Sequence, residues 1–345
     1  MSLVGIAAPT RAPRWHRTTG RTLVVLAAIL AVLAAASLAI GAYSLTPSDL
    51  IAALVGRGSP GDNFVVFRLR LPRLAMGLVA GVAFGVAGAL FQTLLRNPLA
   101  SPDIIGISQG ASVAAAFAIL ALGLSGAVVS IAAFCGALAA AALIYLLAWR
   151  HGVSGYRFVL IGVGVAFVVQ AVLGYLITRG DVRDAQEALT WMVGGLGGSG
   201  WDDIAVVALA VLILLPLVGI LSARVRVLQL GDDLAGALGV PVESTRLALI
   251  VVAVGLVAVA TAFVGPIAFV AFVSAPIARR IVPGGGLALV ASALVGATLV
   301  VAADFVAQHL LPGQLQVPAG IITGIVGGPY LLWLLARTNR EGRGA

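Results

Sequence analysis

Long apolar runs alternate along this chain with short clusters of arginine, aspartate, glycine and proline. The runs lie at Thr22 to Ala42, Leu74 to Leu95, Ile104 to Leu122, Val128 to Trp149, Phe158 to Thr178, Ile204 to Leu221, Leu247 to Val264, Ile267 to Ile281, Leu287 to Leu310 and Ile321 to Ala336. The hydrocarbon core of a bilayer takes about 20 apolar residues of helix, so the pattern predicts an all-α polytopic membrane protein of ten transmembrane helices. The first run follows Arg11, Arg14, Arg17 and Arg21 and reads as either a signal peptide or a span. Its length favours the span, because the apolar part of a signal peptide is usually about 7 to 15 residues.

One polar stretch interrupts two otherwise continuous apolar walls: Arg224 to Arg246, RVRVLQLGDDLAGALGVPVESTR. It predicts a short surface helix. Asp232 and Asp233 sit where a helix N-terminus favours negative charge. Leu230, Leu234 and Leu238 recur at i, i+4 and i+8 on one side, and Gly239 with Pro241 supplies a stop. A helix of about two turns is not stable alone, so the leucine stripe has to rest on the protein's own membrane helices or on a partner.

Composition agrees with the runs: 61% of the 345 residues are hydrophobic, 10% are charged and the mean hydropathy is +1.12, far from the range of soluble domains. All 21 basic residues are arginine, set against 13 acids for a net charge of +8. A phosphate-binding P-loop needs a lysine, and a Schiff-base enzyme needs an amine. This chain therefore holds no standard nucleotide motor, and any ATP that drives it is hydrolysed on another polypeptide. The single Cys135 and the scattered His16, His151 and His309 make neither an internal disulfide nor a legible metal site, so no cofactor is expected.

Charge also gives orientation. With the N-terminus inside, the cytoplasmic segments take Arg11, Arg14, Arg17, Arg21, Arg96, Arg150, Arg157, Arg224, Arg226, Arg246, Arg279, Arg280, Arg337, Arg340 and Arg343. The positive-inside rule selects this arrangement, puts both termini and the 224–246 insert in the cytoplasm, and assigns the charge to membrane orientation rather than to nucleic acid. Arg57, Arg68, Arg70 and Arg73 are exceptions that cluster outside, before the second span. They read either as a basic collar for an acidic partner or as solvated and headgroup-paired arginines.

Small residues at four-residue spacing, Gly77, Gly81 and Gly85, Gly106 and Gly110, and Gly320, Gly324 and Gly328, predict faces where helices pack closely. Gln92, Arg96, Asn97, Pro98, Ser101, Pro102 and Asp103 form a polar corner in which the prolines forbid continuous helix. The external stretch from Arg179 to Asp203, with Trp191 and Trp201 around GGLGGSG, predicts an interfacial helix and a glycine-rich loop.

Five stretches occur in order: RLPRLAMGLVAGVAFGVAGALFQTLLRNPLASPDIIGISQGA, WMVGGLGGSGWDD, LGDDLAGALGVPV, FVGPIAFVAF and VPAGIITGIVGGPYLLWLL. Together they resemble the permeases of the FecCD family, the membrane subunits of ABC importers for iron-siderophores, haem and cobalamin, over about residues 20 to 338. The resemblance implies a ten-helix permease domain at 22–338 between cytoplasmic tails at 1–21 and 339–345. It also implies a pair of permease chains with two ABC ATPase subunits below and an extracytoplasmic siderophore-binding protein above. On the same ground, Gly231, Asp232, Asp233, Leu234, Ala235, Leu238 and Gly239 carry the helix that seats in the ATPase. Arg70 and Arg73 dock acidic lobes of the binding protein, and Ser154, Gly155 and Tyr156 form the cytoplasmic gate, where Tyr156 is bulkier than relatives have.

Two departures from the family pattern stand out. Relatives commonly show P-H-I-x-R where this chain has Ala275, Pro276, Ile277, Ala278 and Arg279, and an acid where it has Gln316. Gln308 replaces a basic docking residue found in some homodimeric relatives, which favours a heterodimer with a second FecCD-type chain. A rival class, a secondary transporter driven by protons or sodium, needs an ionisable group inside the bundle, and Asp304 is the candidate. A membrane hydrolase would need a catalytic constellation such as H-E-x-x-H, which the chain lacks. The expected function is import of a ferric siderophore, with haem and cobalamin as alternative cargoes and no covalent chemistry on this chain.

Overall fold

The computed structural model describes residues 14–150, 152, 154–282, 286–312 and 316–341, those at 14–17 and 337–341 by backbone alone. Outside the described residues lie 1–13 and 342–345 of the two predicted tails, and His151. The described chain is helical throughout: α1 (Arg14–Ala39), α2 (Pro47–Leu54), α3 (Pro60–Phe64), a π-helical turn (Val65–Arg70), α4 (Leu71–Leu94), α5 (Pro102–Ile105), α6 (Ile107–Leu120), α7 (Ala127–Ala148), α8 (Gly155–Arg179), α9 (Val182–Val193), α10 (Trp201–Leu228), α11 (Asp232–Ala237), α12 (Val242–Val264), α13 (Val270–Ile281), α14 (Leu289–His309) and α15 (Ala319–Glu341).

Among the described residues eight helices are long and apolar enough to cross a membrane: Thr18–Ala39, the rod Pro60–Leu94, α7, α8, α10, α12, α14 and Ala319–Ala336. At the other two apolar runs the helices are shorter, 14 residues in α6 and 12 in α13. Each is cut at its start by backbone that leaves the helical region. Gly106, at φ 100, separates α5 from α6, and Gly265 at φ 68 with Phe269 at φ 65 precedes α13. Ile105 and Ile107 flank the first break, Ile267 and Val270 the second, and all four are buried. Burial inside protein is the condition under which broken helices are tolerated in a membrane protein.

The centre of the bundle is α4, with α12, α13 and α14 packed around it. Lipid offers no hydrophobic gain for helix association, so close backbone approach has to supply it. A methyl group added at Gly85 would collide with the Ser292 carbonyl, one at Gly88 with the Ala271 carbonyl, and one at Gly110 with Ala140. The last stripe divides: Gly320 packs against the Val193 carbonyl, Gly324 and Gly328 face open space, and Gly327 makes room for the ring of Phe269. Polar side chains fasten the same core, with Gln92 Nε2 donating to the Phe272 carbonyl at 2.9 Å and Arg279 donating to Gln92 Oε1. By contrast α1 and α8 lie at the periphery, with Val24, Val32, Phe167 and Val168 exposed, the apolar exposure that a bilayer or a second chain would cover.

Candidate functional site

One polar face is built at the α10–α12 corner. The polar stretch 224–246 resolves into the last turn of α10, the six-residue α11, and the first turn of α12. Gly231, at φ 116, turns the chain into α11, and Gly239, at φ 80, turns it out again, where a residue with a Cβ would be strained. Ala235 is buried and seats the helix on the bundle, while Leu230, Leu234 and Leu238 are 59%, 58% and 64% exposed. Of the two supports open to the leucine stripe, the protein's own helices are therefore not the one used.

Asp232 holds α11 in place. Its Oδ1 accepts from Arg96 Nη2 at 2.9 Å and its Oδ2 from Arg246 Nη2 at 2.8 Å. Arg246 also reaches Glu243 Oε1 at 2.8 Å, one turn back on α12. The Arg246 hydrogen bond first, then the nearby charges of Arg246 and Arg96, keep the Asp232 carboxyl below the usual carboxylate range. Asp233 makes no such bond among the described residues and is exposed.

The predicted gate residues lie beside this clamp. Ser154 caps α8, its Oγ accepting from the Arg157 amide at 3.3 Å; Gly155 packs on the backbone of Leu95; and Tyr156 is 80% exposed. A cavity of about 470 Å³ joins them to the clamp, lined by Ser154, Gly155 and Tyr156 on one side and by Arg96, Asp232 and Arg246 on the other. The fold thus brings together two residue sets that lie about 80 positions apart in sequence. Arg96 and Arg246 were not among the predicted site residues. In the sequence Arg246 ends the polar segment and Arg96 belongs to the polar corner around Pro98 and Pro102, and neither position names a partner.

A second polar face gathers around Arg70 and Arg73. Arg70 is not a free collar residue: Nη1 donates to Leu38 O at 2.6 Å and Ala39 O at 3.0 Å, and Nη2 donates to Tyr43 O. It caps the C-terminus of α1, where carbonyls lack helical partners. Arg73 is bound to Asp304 through Nε at 2.9 Å and Nη2 at 2.8 Å, and Gln308 donates to the same carboxylate. Arg57 and Arg68 are the exposed members of the cluster. Two cavities of about 650 and 780 Å³ meet around Arg73, Leu196, Gly197 and Gln316. The second is walled by the predicted interfacial helix, α9, through Arg183, Gln186 and Thr190. The loop after α9 is fixed by Gly194, whose carbonyl accepts from the Gly320 amide at 3.0 Å, and by Trp201, whose Nε1 donates to Phe67 O at 2.9 Å.

The chain matches the FecCD transport family over residues 2–337. It belongs to that family. This FecCD protein is 40% identical over 302 residues to the ferric enterobactin transport system permease protein FepG of Escherichia coli (strain K12), covering 87% of this chain and 91% of that one. It is 39% identical over 324 residues to the achromobactin transport system permease protein CbrC of Dickeya dadantii (strain 3937), with 93% and 92% covered. Its fold matches a solved metal-chelate type ABC transporter in an inward-facing conformation, with a TM-score of 0.80, 27% identity and 92% and 99% of the two chains covered. It is a multi-pass membrane protein of the cell membrane.

Proposed function

We propose that this FecCD chain is the membrane permease subunit of an ATP-driven ABC importer for ferric siderophores. The observation that carries the reading is the unpartnered leucine face of α11, clamped from behind by Asp232 and offered to a second protein in front. A partner that moves is the occupant such a face suits, because the clamp transmits force while the leucines supply contact area. The relatives' named cargoes, ferric enterobactin and achromobactin, support the siderophore class.

In this reading ATP is hydrolysed on two separate ATPase subunits, as the absence of any lysine requires. Gly231 to Gly239 form the coupling element, and Ser154, Gly155 and Tyr156 the inner gate. The arginine balance supports cytoplasmic termini and ten crossings of the domain at 22–338, with α5–α6 and the 265–281 segment each completing a crossing as a broken helix. Arg70 and Arg73 shape the outer docking collar from fixed positions. Arg73 keeps Nη1 for a binding-protein acid, since among the described residues its bonds run through Nε and Nη2. The partner permease is a second FecCD-type chain, and Gln308, spent internally on Asp304, supports a heterodimer. The secondary-transporter reading loses its candidate, because the Asp304 carboxylate is occupied by Arg73.

Growth of a deletion strain on a panel of iron sources tests the cargo. Loss of growth on one or more ferric siderophores, with haem and cobalamin use intact, is the expected result. Loss on haem or cobalamin alone would reassign the cargo.

A further inference from the structure

We infer that Arg96 is the positioning residue through which movement of α11 reaches the gate turn. The inference rests on the importer reading above. Arg96 follows α4 in the left-handed region, at φ 48, a conformation unfavourable to any residue with a Cβ. Such a backbone persists where its surroundings over-determine it. Here the end of α4 does so, with the Asn97 amide donating to Gln92 O at 3.1 Å and the Arg96 amide to Thr93 O at 3.3 Å, and the guanidinium adds bonds of its own: Nη2 donates to Leu228 O at 2.6 Å and to Asp232 Oδ1 at 2.9 Å. One side chain thereby binds the final carbonyl of α10 and the first residue of α11.

On its other side Arg96 is joined directly to Leu95, and Leu95 lies against the start of α8. A methyl added at Gly155 would come within 3.1 Å of the Leu95 carbonyl oxygen and 3.2 Å of its Cα. The path from the coupling helix to the gate is therefore one charge-assisted hydrogen bond, one peptide link and one backbone contact. The other approach to the turn, Glu243 against Gly152, meets the loop before α8 and not the first residue of α8. A partner that displaces α11 pulls on Arg96 through Asp232, and Arg96 is bonded directly to Leu95 where Leu95 meets Gly155.

A purely structural role makes a different prediction, and Arg96→Gly separates the two. Glycine is the residue best suited to φ 48, so the corner keeps its shape while the clamp is lost. The experiment uses the full chain with its ATPase and partner permease in liposomes, carrying Tyr156→Cys in a Cys135→Ser background. A membrane-impermeant thiol reagent reports on position 156 with and without MgATP. The expected result is a labelling rate that changes with MgATP in the Arg96 chain. In Arg96→Gly the ATP-dependent change falls by about fivefold or more, the low end of ordinary coupling factors, while ATPase capture and melting temperature are retained. Asp232→Asn should weaken the response too, and the double variant should lose no more than Arg96→Gly alone, as members of one interaction do. A full ATP response in Arg96→Gly, losses that multiply in the double variant, or labelling at 156 that ignores MgATP in the Arg96 chain would each overturn the inference. Failure of the Arg96 chain to capture any ATPase would instead overturn the importer reading beneath it.

Discussion

Two arginines share the carboxylate of Asp232, which is 48% exposed, while the Arg246 side chain is 12% exposed. Pairs this open to water contribute about 0.2–1 kcal/mol each, so the clamp sets position more than it adds stability. Its pH dependence has a definite sign. The folded-state pKa of Asp232 lies below the unfolded value near 3.8, so its contribution is present above that value and is lost as pH falls through the folded pKa. The difference in melting temperature between the native chain and Asp232→Asn should therefore be flat above about pH 5 and shrink towards zero in stronger acid; a difference that grows on acidification would contradict the assignment. The Arg73–Asp304 pair is better covered, at 23% and 10% exposed. Asp304→Asn removes the counter-charge of Arg73, leaves one amide oxygen to accept from it, and should cost about 2–3 kcal/mol, below the about 3–5 kcal/mol of a fully buried pair because some water reaches it. Transport per folded molecule should be unchanged, as measured after normalising to the folded fraction.

At the scale of elements, α11 presents leucines that support nothing inside the chain. Leu234→Asp with Leu238→Asp should shift the protein's own stability by no more than about 0.5 kcal/mol, as exposed substitutions do. Its ATPase should be lost on co-purification, since burying two carboxylates in an apolar groove costs several kcal/mol. Retained ATPase would remove α11 as the coupling element. The opposite pattern is expected in α4, where Gly88→Ala sets a methyl against the Ala271 carbonyl. That change should destabilise by about 1–3 kcal/mol, as overpacking does, and it is read out as melting temperature. The spacing at 230, 234 and 238 predicted one helical stripe, whereas α11 runs only from Asp232 to Ala237 after left-handed Gly231 and leaves Leu230 and Leu238 outside it; the packing stripe of α4 was legible from its glycines. The breaks before α6 and α13 were not, because hydropathy is blind to a left-handed turn at Gly106 or Phe269. Nor was the binding of Arg73, whose partner lies 231 residues away: a sequence shows that an arginine is out of place for topology, and only packing shows what holds it.

Across the whole molecule, the two polar faces differ in kind. One gathers α11, its clamp and the turn at 154–156 around one cavity, whereas the other is a broad vestibule in which Arg73 is paired with Asp304. An importer driven from below needs this asymmetry: a firm handle inside and a permissive mouth outside that a large chelate can leave. The central claim is that energy arrives through α11 from ATP and not through Asp304 from an ion gradient. Uptake of a radiolabelled ferric siderophore into liposomes holding this chain, its partner permease, the ATPase and the binding protein tests it most directly. Uptake should require ATP, stop when the P-loop lysine of the ATPase is replaced, and continue when a proton ionophore is added. Uptake by this chain without the ATPase, collapsing with the proton gradient and in Asp304→Asn, would contradict the account.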